Sequence, residues 1–419
     1  MQSWDFSLLT RREFVSSAAA VFPALLNPVR VVAAAAKPVR IKNIEIFPIE
    51  ITIPEEDLRA GKYARYTFYL VETDVGVRGY AFDREADYRV LDSLIRPALL
   101  GKDLFAVEEH LKSGLVQWGG LEQAIWDAIG KIAGQPVHRL LGGAKTRLKV
   151  YLTVIWRGPA DQSKVTFEEQ ARGALALKNA GYKGMKIRAW RPRPIDDADA
   201  CGEILNAVGP DFAIMVDRTA NLPGLWDYAT GLRVARALEK HNVLWLEEPF
   251  SRDDFFSHAR LAREVDILIT GGERFNGLDA YRESLVQQSY DLLQPDTVMA
   301  GGIFMVRKIA AMAQAFDVPL VLHGAMGLRL AGWLQASASF GAEWQELALI
   351  TPPLMPEQQW SPALRVLRTK TLFNIRGGEI EVPQGPGLGL DVDEEAVRSY
   401  RIPEGRSFYP QYESAALKR

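Results

Sequence analysis

The strongest constraint on the fold is a series of short apolar runs, separated by longer amphipathic stretches, that begins near Lys149. Four of these runs span residues 212–216, 243–246, 267–270 and 320–322. The polar residues that fall at the ends of such runs are Lys186 and Arg188, Asp217, Glu247, Glu273, Asp296, His323 and Glu346. From Arg188 onward they recur every 23 to 30 residues, which is suited to one strand and one helix each. The pattern predicts a (β/α) barrel that gathers these side chains at the carboxyl ends of its strands, whereas polar residues that merely open surface loops would explain one or two of them.

The region before the barrel has a different pattern. Residues 39–73 contain strand-like segments, and residues 74–76 predict a turn. Apolar residues then share one helical face between Gly120 and Gly134, and a Gly142-Gly143 pair closes the stretch. We therefore predict an α+β module of about 110 residues in front of the barrel.

Three of the strand-end residues form a candidate metal site. Asp217, Glu247 and Glu273 would lie on three adjacent strands and offer only oxygen ligands, which suits Mg²⁺. Without a cation, the clustered carboxylates would repel one another and some of their pKa values would rise. The alternative is ordinary pairing of these acids with surface lysines and arginines.

Two cations are predicted beside this site. Lys186 and Arg188 are two residues apart on one strand, so both side chains face the barrel interior. Cations on an inward face need anionic partners, and these two are candidates for binding an acidic substrate and the negative charge that develops during its reaction. A salt-bridge network with the neighbouring carboxylates alone is the alternative.

His323 is the candidate general base. It follows an apolar strand directly and comes one repeat after Asp296, whose carboxylate could accept the imidazole N–H, select the tautomer and support the protonated state. The other four histidines, in helical or linking stretches, are interpreted as surface or packing residues; they are His110, His138, His241 and His258. Glu346 is predicted to be a hydrogen-bond donor or charge partner at the opposite side of the site, with Glu343 as the alternative.

Charge and cysteine content exclude several other classes of protein. The net charge of −2 gives no general attraction to nucleic acids or anionic membranes, so a small-molecule carboxylate is the expected partner. The single cysteine, Cys201, allows neither a disulfide framework nor a cysteine-rich metal site.

The N-terminal segment predicts export. Arg11 and Arg12 precede a mildly apolar, alanine-rich stretch, and four alanines at 33–36 resemble the end of a twin-arginine signal peptide. A chance arginine pair in a disordered tail or an uncleaved anchor helix are the alternatives; Pro23 and Pro28 argue against a stable membrane span. We expect the mature protein in a periplasm or outside the cell.

Several motifs resemble one enzyme family. The stretch 120–143, GLEQAIWDAIGKIAGQPVHRLLGG, is similar to the hallmark segment of the mandelate racemase and muconate lactonizing enzyme family within the enolase superfamily. Further similar motifs are Leu246-Glu247-Glu248-Pro249, Gly271-Gly272-Glu273-Arg274, the 294–302 segment with Gln294-Pro295-Asp296, and the glycine-rich tail 383–389. The resemblance extends from about Val39 to Tyr400.

The resemblance implies the fold and the roles of the site residues. The fold would be α/β, a modified TIM barrel of the (β/α)₇β type with an N-terminal α+β capping domain. After the signal peptide, which the N-terminal residues themselves predict over 1–36, the boundaries are the capping domain over 37–148, the barrel over 149–372 and a C-terminal segment over 373–419 that returns to the capping domain. Asp217, Glu247 and Glu273 would bind Mg²⁺, and His323 would remove the proton next to a carboxylate to give an enediolate held by Mg²⁺, Lys186 and Glu346. The Asp296–His323 pair resembles the mandelate racemase branch, and relatives are commonly homo-oligomers.

Two departures from the family pattern shape the predicted reaction. Arg188 stands where the racemase has a lysine that serves as second base, and a guanidinium does not readily release a proton, which disfavours a two-base racemase. Thr219 stands where the family usually has asparagine, and Asn221 is a candidate equivalent, so the acid that assists the leaving group is unassigned.

The leading hypothesis is dehydration of an aldonate or aldarate to a 2-keto-3-deoxy acid. The alternatives are a racemase, epimerase or cycloisomerase acting through the same enediolate, and a non-catalytic sugar-acid binding protein. Candidate specificity residues are the segment 51–66, residues 80–82, Trp156, Arg157, Trp190 and Arg274.

Overall fold

The computed structural model describes residues 37–59, 61–62, 64–84, 91–156, 164–220 and 225–403. The predicted export signal over 1–36 lies outside these ranges, as do Arg157 and Asn221. Within them, no helix has both the length and the apolar character needed to cross a membrane.

A three-stranded antiparallel sheet opens the fold. Its strands, in spatial order, are β1 (Ile41–Glu50), β2 (Arg65–Thr73) and β3 (Arg78–Asp83). Gly76, with φ of +80°, lies in the tight turn between β2 and β3, where the sequence predicts one. The helices that accompany this sheet are α1 (Glu55–Arg59), α2 (Arg96–Leu99), α3 (Val107–Lys112), α4 (Gly119–Ala133) and α5 (Val137–Leu140), with short helical turns at Leu91–Ile95 and Leu115–Gln117.

Two buried carboxylates on helix α4 hold distant parts of the chain. Glu122 accepts the backbone N–H groups of Ile303, at 2.8 Å, and Phe304, at 2.9 Å, where a barrel helix begins. Asp127 accepts the N–H groups of Tyr80 and Leu388, both at 2.7 Å. Each carboxylate therefore joins α4 to a segment that lies elsewhere in the sequence.

The barrel follows, with a sheet that runs parallel from β4 through β9. Its strands are β4 (Arg147–Val154), β5 (Gly184–Arg188), β6 (Ala213–Asp217), β7 (Trp245–Glu247), β8 (Leu268–Gly271), β9 (Leu292–Leu293) and β10 (Trp344–Ile350). The helices between them are α6 (Phe167–Asn179), α7 (Ile195–Val208), α8 (Tyr228–Glu239), α9 (Phe255–Glu264), α10 (Asp279–Gln287), α11 (Ile303–Gln314) and α12 (Leu330–Phe340), preceded by a turn at Gly327–Arg329. Strand β10 pairs in parallel with β4. The predicted α/β fold with a capping sheet and a modified barrel is confirmed.

The seventh position of the barrel is an irregular segment rather than a strand. Leu320 forms an isolated bridge to Leu293, and Ala325 forms one to Leu347 of β10. Within the predicted strand at 320–322, Leu320 forms one bridge and Val321 N–H donates to the Leu293 carbonyl at 3.0 Å. A regular ladder does not form, because Pro319 has no N–H to donate and β9 offers only two residues as an edge. Glu273 and Asp296 also differ from the prediction, since they lie two and three residues beyond their strands rather than at the last strand residue.

The barrel interior has an apolar layer beneath a polar one. The apolar layer consists of Tyr151, Met215, Trp245, Leu292 and Val321. On three of these strands, the residues two positions further along are Thr153, Asp217 and Glu247. Because side chains two apart on a strand share a face, one strand supplies both an apolar packing residue and a polar residue above it.

The C-terminal segment contacts both earlier parts of the fold. Strands β11 (Ile375–Arg376) and β12 (Glu379–Glu381) form a hairpin that pairs antiparallel with β4, after a helix α13 (Pro356–Gln359) and a helical turn at Ser361–Val366. A last helix, α14 (Glu394–Ser399), reaches the capping sheet: Glu394 accepts from the Arg78 guanidinium at 2.9 Å, and Ile402 N–H donates to the Pro48 carbonyl at 2.9 Å.

Candidate active site

Strand register places the first charged side chains side by side. Arg188 pairs with Asp217, and Asp217 pairs with Glu247, across β5, β6 and β7. All three are the last residues of their strands and are buried. The parallel sheet therefore assembles one cation and two carboxylates at a single level.

A cavity of about 360 Å³ lies at this end of the barrel. Arg188, Glu273, Asp296 and His323 contribute to its walls. Asp83 and Arg84, at the end of β3, line it from the capping sheet, so the cavity lies between the two parts of the fold. A larger cavity of about 620 Å³ at the opposite barrel end is lined by the apolar-layer residues Trp245, Leu292 and Val321. Glu343, the alternative to Glu346, also lines it, but none of the other predicted site residues does.

Lys186 is completely buried and lies between two carboxylates. Its Nζ is 2.6 Å from Glu247 Oε2 and 2.9 Å from Glu346 Oε1. Burial alone would lower its pKa, but Glu247 and Glu346 raise it above the ordinary value. Lys186 is therefore a fixed ammonium group, buried beneath the cavity walls rather than among the residues that line them.

Glu346 lies in the site, whereas Glu343 does not. The Glu346 carboxylate accepts hydrogen bonds from the Tyr151 hydroxyl and the Gly324 N–H, both at 3.0 Å, and from the Thr153 hydroxyl. Burial opposes ionisation, but Lys186 and the other positive groups lower the pKa of Glu346 to about 2. With this set of donors, Glu346 is an ionised acceptor and charge partner rather than a hydrogen-bond donor. Glu343 instead pairs with Lys149 at the surface, at 2.7 Å.

Arg188 forms an ion pair with Asp217 and donates to the Thr219 hydroxyl at 2.8 Å. Thr219 adopts a left-handed conformation, with φ of +58°, and its N–H donates to Asp217 Oδ1 at 2.6 Å. Thr219 thus fixes the Asp217 carboxylate from the loop that follows β6.

His323 contacts two carboxylates through its two ring nitrogens. Nδ1 is 3.0 Å from Asp296 Oδ2, and Nε2 is 3.7 Å from Glu273 Oε1. Asp296 is in turn held by the N–H groups of Val298 and Met299, at 2.9 and 3.0 Å. Because an ionised carboxylate only accepts hydrogen bonds, the bond to Asp296 places a proton on Nδ1 and leaves Nε2 as the nitrogen that can take another.

The surroundings of His323 favour its charged form. Burial lowers its pKa, but Glu273 and the hydrogen bond to Asp296 outweigh burial and raise the pKa to about 9. Because Glu273 contributes to this shift, a cation bound to that carboxylate would move the pKa of His323 back towards its ordinary value.

The three predicted metal ligands fit Mg²⁺ by chemistry. Asp217, Glu247 and Glu273 supply hard oxygen donors from three consecutive strand exits, and the buried Glu247 Oε1 has no hydrogen-bond partner among the described residues. Over those same residues, no three His, Cys, Asp or Glu side chains are gathered tightly enough to form a metal site as they stand. Arg188 and Lys186 instead pair with Asp217 and Glu247.

Some predicted specificity residues line the cavity and others do not. Arg274 lies in its wall, whereas Trp156 and Trp190 are not among its lining residues. Sequence reasoning missed Tyr151 and Thr153. The available signal was that they are two residues apart on one strand, so both side chains face the barrel interior. It also missed the buried ion pair between Asp83 and Arg329, at 2.8 Å, which joins β3 to the barrel. No sequence signal connects residues so far apart in the chain.

Comparisons with known proteins agree with this fold. The family described as Enolase C-terminal domain-like matches residues 167–396. A D-galactonate dehydratase from Ralstonia nicotianae is 30% identical over 368 residues, which cover 82% of this chain and 93% of the relative. An arabinonate dehydratase from Saccharolobus solfataricus is 27% identical over 380 residues, covering 86% and 93%. The crystal structure of D-glucarate dehydratase from Agrobacterium tumefaciens, complexed with magnesium, superimposes with a TM-score of 0.75 at 24% identity, covering 87% of this chain and 99% of that one.

Proposed function

This chain belongs to the mandelate racemase and muconate lactonizing enzyme family of the enolase superfamily, and from that premise we propose that it is a Mg²⁺-dependent dehydratase of sugar acids with His323 as the base. The substrate would be an aldonate or aldarate and the product a 2-keto-3-deoxy acid. The relatives that dehydrate galactonate and arabinonate support this class of reaction.

The observation that carries the proposal is the orientation of His323. Its Nδ1 is committed to Asp296, at 3.0 Å, so Nε2 is the nitrogen available at the cavity. A general base needs a vacant ring nitrogen held in one direction and a partner that stabilises the imidazolium after proton transfer. Asp296 supplies the direction and the stabilising partner through a single hydrogen bond, and a cation bound to Glu273 would favour the vacant nitrogen by lowering the pKa of His323.

The residues around His323 would bind the acid and stabilise the charge that develops on it. Arg188 lines the cavity and Lys186 is a buried ammonium group, so together they offer positive charge to a substrate carboxylate. A proton next to a carboxylate is weakly acidic, and electrostatic stabilisation must supply most of the rate. Asp217, Glu247 and Glu273 would hold Mg²⁺, which when bound supplies Lewis-acid stabilisation of the same charge.

Elimination is favoured over racemisation by Arg188. A two-base racemase needs a second group that exchanges a proton at the opposite face of the substrate. A guanidinium does not readily release a proton near neutral pH. In a one-base dehydratase, His323 removes the α-proton and returns it to the departing β-hydroxyl as water leaves. Atoms balance without a second base.

The test is incubation of the protein with Mg²⁺ in D₂O against a panel of aldonates and aldarates. Keto-acid formation and exchange of the α-proton are followed together. We expect keto acid from at least one member of the panel and none from the His323→Asn variant. Exchange of the α-proton without elimination would refute the dehydratase and indicate an epimerase or cycloisomerase. An acid that binds but stays chemically unchanged would indicate a binding protein.

We also propose that the protein acts outside the cytoplasm. The support is the Arg11-Arg12 pair before an alanine-rich stretch. The expected result of cell fractionation is export of the wild type and cytoplasmic retention of a variant with both arginines changed to lysine. Equal distribution of the two proteins would refute export by this route.

A further inference from the structure

Glu248, which follows the predicted metal ligand Glu247, has an unusual backbone conformation. Its φ is +48°, in the left-handed region, although it is not a glycine. Such a conformation is strained for a residue other than glycine and persists only where the surroundings impose it. The side chain is completely buried, so this turn delivers a second carboxylate to the interior directly after the first.

The Glu248 carboxylate is held by Arg252. Arg252 Nη2 is 2.6 Å from Glu248 Oε2, and Arg252 Nε also donates to Glu248 Oε1, which is a two-point contact. The same Nη2 is 3.3 Å from Glu273 Oε2, on the next strand exit. Arg252 thus links the carboxylate of Glu248 with that of Glu273.

The loop after β6 also contacts the Glu248–Arg252 pair, through a backbone N–H group. The N–H of Ala220 donates to Glu248 Oε2 at 3.2 Å, and Ala220 directly follows Thr219, which holds Asp217. The Glu248–Arg252 pair therefore contacts the segments that carry Asp217, Glu247 and Glu273.

We infer that Glu248 and Arg252 are positioning residues that orient Glu273 and the loop after Asp217 for cation binding. The inference rests on the proposed function, because it concerns the same Mg²⁺ site. By occupying Glu273 Oε2, Arg252 leaves Oε1 on the side of His323 Nε2, 3.7 Å away. Its positive charge also counters the repulsion among three neighbouring carboxylates, those of Glu247, Glu248 and Glu273.

The test is calorimetric titration of the full chain with Mg²⁺ alone, without substrate. Hydrogen-bond partners of metal ligands typically change metal affinity by about 10- to 100-fold when removed, and we expect Arg252→Met to weaken Mg²⁺ binding within that range. Arg252→Lys should lose part of the affinity, because an ammonium group lacks the planar fork that contacts two carboxylates.

The control is Arg260→Met, which removes another arginine–glutamate pair of the same sequence spacing, with Glu264, at the exposed surface of α9. Its Mg²⁺ affinity should equal that of the wild type. Wild-type affinity in Arg252→Met overturns the inference and leaves the proposed function standing. If Arg252→Met does not fold, Arg252→Lys decides in the same way. A wild-type protein that binds no Mg²⁺ overturns the proposed function itself, and the inference with it.

Discussion

Helix α4 and the barrel mouth both bury carboxylates, but they satisfy them differently. On α4, Glu122 and Asp127 accept backbone N–H groups from distant segments. At the barrel mouth, Glu247 and Asp217 face the side-chain cations Lys186 and Arg188, and one oxygen of Glu247 has no partner among the described residues. Backbone donors are part of the fold, whereas side-chain cations can exchange partners when a ligand arrives.

The contrast indicates which property each group controls. A carboxylate bound by backbone N–H groups stabilises the fold, and its loss should appear in the free energy of unfolding. A carboxylate among cations at a cavity is crowded with charge, and its loss should appear in cation binding and turnover. The following experiments challenge that division, beginning with the largest expected effect.

Replacing His323 with asparagine should remove activity while preserving the fold. We expect kcat to fall by about 10²- to 10⁴-fold, the usual contribution of general-base catalysis, because the Arg188 guanidinium does not readily act as a second base. The free energy of unfolding should change by no more than about 2 kcal/mol. Keto-acid formation and urea unfolding measure the two effects. A large loss of stability beside the loss of turnover would contradict the distinction between the barrel mouth and helix α4.

Removing Mg²⁺ should act on the mouth alone. Chelation with EDTA is expected to abolish turnover, and added Mg²⁺ to restore it. At a Mg²⁺ concentration 100 times the dissociation constant, binding should raise the free energy of unfolding by about 2.7 kcal/mol. Asp217→Asn should lose this stabilisation and Asp127→Asn should keep it, as read from unfolding curves with and without Mg²⁺. A stabilisation retained in Asp217→Asn would remove that residue from the ligand set.

Asp127→Asn should have the opposite profile. The carboxylate accepts two backbone N–H groups and pairs with Lys131 at 2.5 Å, and an amide nitrogen would face one of those donors. We expect the free energy of unfolding to fall by about 1 to 3 kcal/mol, the usual cost of an unsatisfied buried group. The kcat of the folded fraction should stay near wild type. A large loss of kcat at a temperature where the variant is folded would contradict the assignment.

The smallest expected effect is the change in the free energy of unfolding per pH unit that is due to Glu122. Burial raises the pKa of Glu122 from 4.5 to about 8. Between these values the folded protein keeps a proton that the unfolded chain releases, so this group lowers stability as pH rises, by at most about 1.4 kcal/mol per pH unit. Glu122→Gln should remove that contribution. Parallel pH profiles for the two proteins would show that Glu122 is ionised throughout.

The sequence predicted the residues that end apolar runs better than the residues that surround them. Asp217 and Glu247 were recognisable because each closes a strand, and the structure places both at the last strand residue. Glu346 could not be separated from Glu343, because the choice depends on which one faces the barrel interior. Arg252 escaped notice because a charged loop residue has no periodicity that reports its partners.

Long-range pairing explains most of what was missed. Asp83 and Arg329 are 246 residues apart, and only the packing of β3 against the barrel brings them together. The irregular seventh barrel segment was predicted as a strand because an apolar run such as 320–322 suits a regular strand and an irregular buried segment equally well. Local pattern could not reveal that its hydrogen-bonding neighbour, β9, is only two residues long.

The two-layer interior has a consequence for how such enzymes diversify. On β6, Met215 packs in the apolar layer while Asp217, two residues later, belongs to the candidate active site. Strand β7 repeats this with Trp245 and Glu247. A mutation at the upper position leaves the packing residue below it in place. Evolution can therefore change the chemistry one strand at a time, because the residues that determine the reaction and the residues that pack the scaffold occupy different positions on each strand.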